Sequence, residues 1–256
     1  MRNSRSLHEL RLAICRRIRY NPILRLLLSA SWIAAAAVIS PQSSATDAGA
    51  RQCWKDLPIV STQSLMADRD AEIALARTAA PKSISDGAEV LVLGRDGYTT
   101  ALKGGNGFVC LVERAFAAST DFSEFWNPKN RSPICLDAAA ARSHVPLQQM
   151  KARLVIAGKS KAEIAQAVTS AFDNKELPLP EPGAMCYMMS KQQYLNDGAR
   201  NWHPHLMWFV PGDSAKSWGA QLPGSPVIAA NDPEERMTIM MVWVGHWSDG
   251  TPAPMQ

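Results

Sequence analysis

The 256-residue chain lacks the short motifs that announce common chemistries. None of its five cysteines falls in a Cys-x-x-Cys pair, which argues against a zinc knuckle or a thioredoxin-like redox centre. Gly94 to Gly97 and Gly104 to Gly107 are flanked by strand-like runs, and neither carries Gly-Lys-Ser/Thr, so neither is a phosphate loop. Gly212-Asp213-Ser214 and Gly224-Ser225-Pro226 put serines near turns, but a Gly-x-Ser-x-Gly elbow is missing and no base can be assigned to either serine. No repeat with a period of 20 to 50 residues is present. With none of these motifs, no cofactor is expected.

Long apolar runs are also scarce. Leu26 to Ile39 spans fourteen residues, short of the roughly 20 needed to cross a bilayer. It follows Arg2, Arg5, Arg11, Arg16, Arg17, Arg19 and Arg25 and precedes Ser43-Ser44-Ala45. Basic, apolar and small-residue regions in that order predict a signal peptide over residues 1–45, cleaved after Ala45. Ile18-Arg19-Tyr20 is a poor continuation of the Arg16-Arg17 pair, which favours the general export route over the twin-arginine one. No cysteine stands just after the apolar region to carry a lipid.

The leader also explains the basic balance. It holds seven of the 27 Lys and Arg but one of the 23 Asp and Glu, leaving 20 positive against 22 negative residues and a net charge of about −2. No nucleic-acid partner is expected, and membrane contact only through the leader before cleavage. The remaining 211 residues suffice for one domain with a sizeable core. A periplasmic or secreted location is oxidising, so Cys53, Cys110, Cys135 and Cys186 are expected as disulfides. Cys110 and Cys135 sit in short apolar strands assigned to one sheet and form the first pair; Cys53 with Cys186 is the second.

Ala88 to Arg114 is the expected centre of the fold. Val90 to Leu93, Tyr98 to Leu102 and Phe108 to Val112 are strand-like runs separated by glycine-rich turns, which predicts an antiparallel meander. Before it, residues 46–62 form an extended lead-in and Ser64 to Ala79 a first helix stopped by Pro81. After it come a long loop over Ala115 to Ser132 and a brief strand from Pro133 to Asp137. Pro146, suited to a first helical position, begins one helix that Gly158 ends, and the capping box Ser160-Lys161-Ala162-Glu163 begins another. The proline-rich stretch 177–183 marks a possible subdivision. Met185 to Met189, Leu206 to Val210, Val227 to Ala230 and Met237 to Trp247 supply C-terminal strands, and residues 248–256 a solvated tail. The prediction is a single α+β domain over residues 63–247, its antiparallel sheet flanked by the first helix and the helical pair.

Several strings, among them Gly105-Asn106-Gly107-Phe108-Val109-Cys110-Leu111-Val112-Glu113-Arg114, Pro133-Ile134-Cys135 and Pro204-His205-Leu206-Met207, resemble an uncharacterised family of exported bacterial proteins. The resemblance spans about Ile73 to Pro211. It implies export and a single-domain body, and it assigns no activity and no catalytic residue.

Two constellations remain. His203 and His205 share a face if Pro204 lies in a strand, the arrangement of two metal ligands, but His144, His246 or Cys186 would have to converge to complete a site. Trp202, Trp208, Trp218, Trp243 and Trp247 fall in the last 55 residues and could present indole faces to a sugar ring. Met185, Met188, Met189, Met207, Met237, Met240 and Met241 lie inside apolar strands, where methionine is core filler before it is a copper ligand. The leading expectation is a non-catalytic protein binding a small molecule or envelope component through the tryptophans. The alternative is a metal-dependent enzyme or carrier built on His203 and His205. Intact-mass analysis of protein from its native envelope is expected to find a chain starting at Thr46; a chain starting near Met1 in the membrane fraction would overturn the export reading.

Overall fold

Glycine is obligatory where the chain first departs from a meander. In the computed structural model, which describes residues 63–253, a β-carbon on Gly104 would lie 2.0 Å from the Glu89 backbone nitrogen and 2.5 Å from the Ala88 carbonyl carbon. Here the chain leaving β2 (Gly97–Leu102) passes beneath the start of β1 (Glu89–Gly94) and enters β3 (Val109–Glu113) on the far side. Gly105 N–H donates to Gly87 O, Asn106 Nδ2 donates to Ile84 O, and Glu89 N–H donates to Phe108 O. The β1–β2 hairpin is therefore as expected, but β3 runs parallel to β1 instead of returning beside β2. The glycine cluster that resembled a hairpin turn is a crossing loop.

The described residues build one eight-stranded sheet in the order β2-β1-β3-β4-β5-β6-β8-β7. Its other strands are β4 (Ser132–Leu136), β5 (Met185–Met188), β6 (His205–Pro211), β7 (Val227–Asp232) and β8 (Met237–Trp243). Every adjacent pair except β1 and β3 is antiparallel. The fold is α+β, with a mostly antiparallel sheet. β4 pairs with β5 across the proline-rich connector, so the sheet is continuous through 177–183.

Helices cover the two faces. α1 (Arg69–Arg77) starts later than expected because the Asp68 carboxylate caps it, accepting from Asp70 N and Ala71 N. After the short α2 (Lys82–Ser85) and the hairpin, α1 lays Ile73 and Ala76 on Val90, Val92, Cys110, Val112 and Cys135. The second helix of the sequence reading, α3 (Ala138–Ile156), begins eight residues before Pro146. Asp137 caps it by accepting from Ala140 N, and the alanines that follow are strong helix formers. Pro146 thus lies inside the helix, where it lacks the donor for the preceding turn. At the other end Gly158, at φ +73°, closes a Schellman motif in which Lys159 N donates to Leu154 O and Gly158 N to Val155 O. α4 (Lys161–Asp173) has the capping box read from Ser160 and Glu163.

The sheet curls around α3. Gln149 of this helix accepts from the backbone N–H of Tyr98 on β2, and Lys151 is 2.5 Å from Glu235 in the β7–β8 turn, so one helix reaches both ends of the sheet. Its buried stripe of Ala140, Ser143, His144, Leu147, Gln148, Lys151, Ala152 and Val155 recurs every three or four residues. Four of those positions are polar and hydrogen-bonded, and in the trough His144 Nε2 lies 2.6 Å from Glu113 and Lys151 Nζ also donates to Ala117 O and Ala118 O.

Cys110 and Cys135 face each other in the β3–β4 register and form the expected disulfide. Closing 25 residues stabilises by about 3 to 4 kcal/mol in the chain-entropy account. Cys186 is a buried free thiol, and Cys53, its assigned partner in the expected second bridge, lies with the leader and lead-in outside the described residues. No helix among the described residues is long and apolar enough to cross a membrane.

The crossing loop is open to a direct test. Gly104→Ala is expected to cost about 3 kcal/mol or more, because backbone must move to admit the methyl group, whereas Gly105→Ala, which meets open space, should stay within about 0.5 kcal/mol. Urea unfolding of the two variants checks the difference; equal midpoints would contradict it.

Candidate functional site

Strand alternation divides the C-terminal tryptophans. His205 and Trp208 are three residues apart on β6, an odd spacing, so they point to opposite faces of the sheet. Trp243 is opposite His205 in the β6–β8 register and shares its face, the one that packs on α3. Trp208 shares the other face with Met240, and its ring lies 6.3 Å from that of Trp218 on a short 3-10 turn (Lys216–Trp218). The expected single indole wall is therefore two separate groups. Trp202 packs against the α3-side core, and Trp208 with Trp218 belongs to the far side.

On the α3 side the expected residues do converge. The His205 ring lies 5.2 Å from Trp243 and 5.9 Å from Trp202, both nearly perpendicular to it. His203 lies 5.8 Å from Trp243, again edge to face, and 6.5 Å from Trp247. Five rings thus make one continuous corner at the end of β6 and β8. Trp243 is 44% exposed and His205 only 2%, so the corner has an open indole face over a buried imidazole. Two loops frame it. Gln193 Nε2 donates to Trp202 O, Lys191 pairs with Asp249 at 3.0 Å, and Ser248 N–H donates to Met189 O, which ties residues 189–202 to residues 247–251.

The electronic state of His205 follows from its partners. A carbonyl can only accept, so Nδ1–H donates to His203 O at 2.8 Å and Nε2 carries the lone pair. Burial pushes the imidazole below its ordinary value, and the neighbouring His203 adds to the effect, while the bond to the His203 carbonyl opposes it. His205 is therefore neutral near pH 7. Such a ring can ligate a metal or accept a hydrogen bond, but among the described residues no three His, Cys, Asp or Glu gather closely enough to hold an ion. His144 is committed elsewhere, between Glu113 and the ring of Phe209, four residues along β6 from His205. Cys186 is buried in the core.

Other reactive groups are similarly sequestered. Burial holds the Cys186 thiol well above its usual range, which keeps it protonated and a poor nucleophile. The methionines alternate between faces, Met188, Met207 and Met241 on the α3 side and Met185 and Met240 on the other, so they do not assemble a thioether site. The polar ladder His144, Gln148 and Lys151 went unread in the sequence, although its 4-and-3 spacing within an apolar stripe is visible there.

No family model, curated protein or solved structure matches the chain.

The depressed His205 value sets a pH dependence. Neutral His205 contributes stability that is fully present above about pH 6.5, its unfolded value, and is lost as pH falls through the lower folded value. Asp232 acts in the opposite sense: burial and the nearby Glu235 raise it to about 6, so its contribution fades as pH rises through that value. The comparison that isolates His205 is His205→Asn, whose amide keeps a donor in place of Nδ1–H but does not titrate. From pH 7.5 to 5.5 the urea midpoint of the parent should fall further than that of the variant; parallel curves would show that His205 is not linked to folding.

Proposed function

We propose that the chain is an exported, non-catalytic protein that binds a glycan-like component of the cell envelope through the corner of Trp202, His203, His205, Trp243 and Trp247. The observation that carries this reading is the exposed face of Trp243, 44% accessible and held rigidly by perpendicular contacts to two imidazoles. An indole fixed in this way offers a flat apolar surface at little entropic cost, which suits the apolar face of a sugar ring. The surround supplies polar groups for the hydroxyls. Lys191, Asn201 and Asp249 are exposed on the loops that frame it.

Export is supported by the arginine-rich and apolar start of the chain and by the Cys110–Cys135 disulfide, a bond that persists in oxidising compartments. The resemblance to exported bacterial proteins points the same way. A binding role is supported further by the state of the reactive groups: Cys186 is a protonated buried thiol, and the His144 and Glu113 pair lies inside the trough.

Titration of the protein with soluble cell-wall oligosaccharides, followed by tryptophan fluorescence, tests the proposal. Trp243→Ala is expected to weaken binding about tenfold or more, about 1.4 kcal/mol. Trp218→Ala, equally exposed but on the other side of the sheet, should leave it unchanged. Equal losses in both variants, or no binding by the parent protein, would overturn the reading.

A further inference from the structure

A second site lies at the opposite end of the sheet. Between the α3-side face of β1 and β2 and the helix α3 runs a groove of about 460 Å³, within the range of small-molecule sites. Leu91, Val109 and Val145 give it an apolar floor, and Glu89, Arg142 and Gln149 stand in its lining. The curl of the sheet leaves this space, because the trough around α3 is filled by Leu147 and Val155 on one flank and not on this one.

Its polar groups are pre-positioned and incompletely used. Gln149 Oε1 accepts from Tyr98 N–H at 2.7 Å, which turns the amide and leaves Nε2–H₂ as a donor with no acceptor among the described residues. Gly97 permits this placement, since a β-carbon there would come within 2.9 Å of Nε2. Glu89 Oε1 accepts from Thr100 Oγ1 at 2.7 Å, and Glu89 forms no ion pair among the described residues. Arg142 is held in a two-pronged bond to Glu181 through Nε and Nη2, at 2.5 and 2.6 Å, which fixes its guanidinium plane and leaves Nη1 unengaged among the described residues. The groove therefore combines a carboxylate on its strand wall, an amide and a guanidinium on its helix wall, and an aliphatic floor.

The geometry points to a binding site for a zwitterionic ligand of dipeptide size with apolar side chains. Its ammonium group pairs with Glu89, its carboxylate or carbonyl accepts from Gln149 Nε2 and Arg142 Nη1, and its side chains cover Leu91, Val109 and Val145. Opposite charges on opposite walls select for a ligand that carries both. This reading is independent of the aromatic corner, which lies at the other end of the same sheet.

The probe is L-leucyl-L-phenylalanine, titrated calorimetrically into the mature protein alongside its N-acetyl and C-amide forms. The free dipeptide is expected to bind, and each blocked form to bind at least tenfold more weakly. Glu89→Gln, which keeps an acceptor for Thr100, should remove the preference for the free amine, and Val145→Trp should fill the groove and abolish binding while both variants keep the parent unfolding midpoint to within a few degrees. Trp243→Ala should leave dipeptide binding intact, so failure here is separable from failure of the glycan reading. No binding of the free dipeptide at millimolar concentration, equal binding of the N-acetyl form, or binding undiminished by Val145→Trp would each overturn the proposal.

Discussion

Lys151 holds the curl of the sheet. Its ammonium, almost wholly buried, lies 2.5 Å from the equally buried Glu235 and donates to Ala117 O and Ala118 O, so one side chain ties the end of β3 to the β7–β8 turn through α3. Removing one member of such a pair strands a charge and costs about 3 to 5 kcal/mol, more than the pair contributes over an apolar replacement. Its value is therefore geometric. With the Thr120–Glu234 and Arg236–Asp173 bonds, both at 2.6 Å, it sets where the last hairpin sits against the helices, and that hairpin carries Trp243.

The other face has its own buried pair. Arg114 meets Glu72 of α1 at 2.9 Å and donates to Ser64 O at 2.7 Å and to Val112 O, while the second role of Glu72 is to accept from Leu93 N. This links α1, β1 and the end of β3 in one network beside the core of Val90, Val92 and Val112. Its field reaches further. Arg131 is lowered to about 10, chiefly by burial and then by the charge of Arg114, and burial raises the Tyr98 hydroxyl, which donates to Val112 O. Together with the Cys110–Cys135 disulfide, these bonds tie down the β1–β3–β4 region, which supplies Glu89, Leu91 and Val109 to the groove.

Both sites are by-products of how a curled sheet treats its ends. At the β2 edge, Gln149 caps Tyr98 N–H and Arg69 caps Ala101 O, which blunts the strand against pairing with another chain and at the same time leaves a groove beside the helix. At the β6–β8 end the sheet extends past the helix, so the α3-side residues His205 and Trp243 are covered by loops and by each other instead of by α3.

Much of this was legible in the chain. The strand positions, the capping box at Ser160, the Gly158 stop, the Cys110–Cys135 pairing and the α+β class all rest on local patterns, and local patterns survive any tertiary arrangement. Elsewhere the local signals are ambiguous. Gly104 to Gly107 has the composition of a turn whether the chain reverses or crosses under its neighbour, and only the backbone of Ala88 and Glu89 decides between them. Pro146 reads as a helix start unless Asp137 is recognised as the cap. Trp208 joined Trp243 in sequence because both are close in number, yet the period of two in β6 sends it to the other face. By itself the sequence determined the elements, the disulfide and the set of aromatic and histidine residues available for binding. Tertiary structure alone decided which of them meet, because facing, crossing and burial depend on strand register and on the path of the sheet around α3, and neither is encoded within any single stretch.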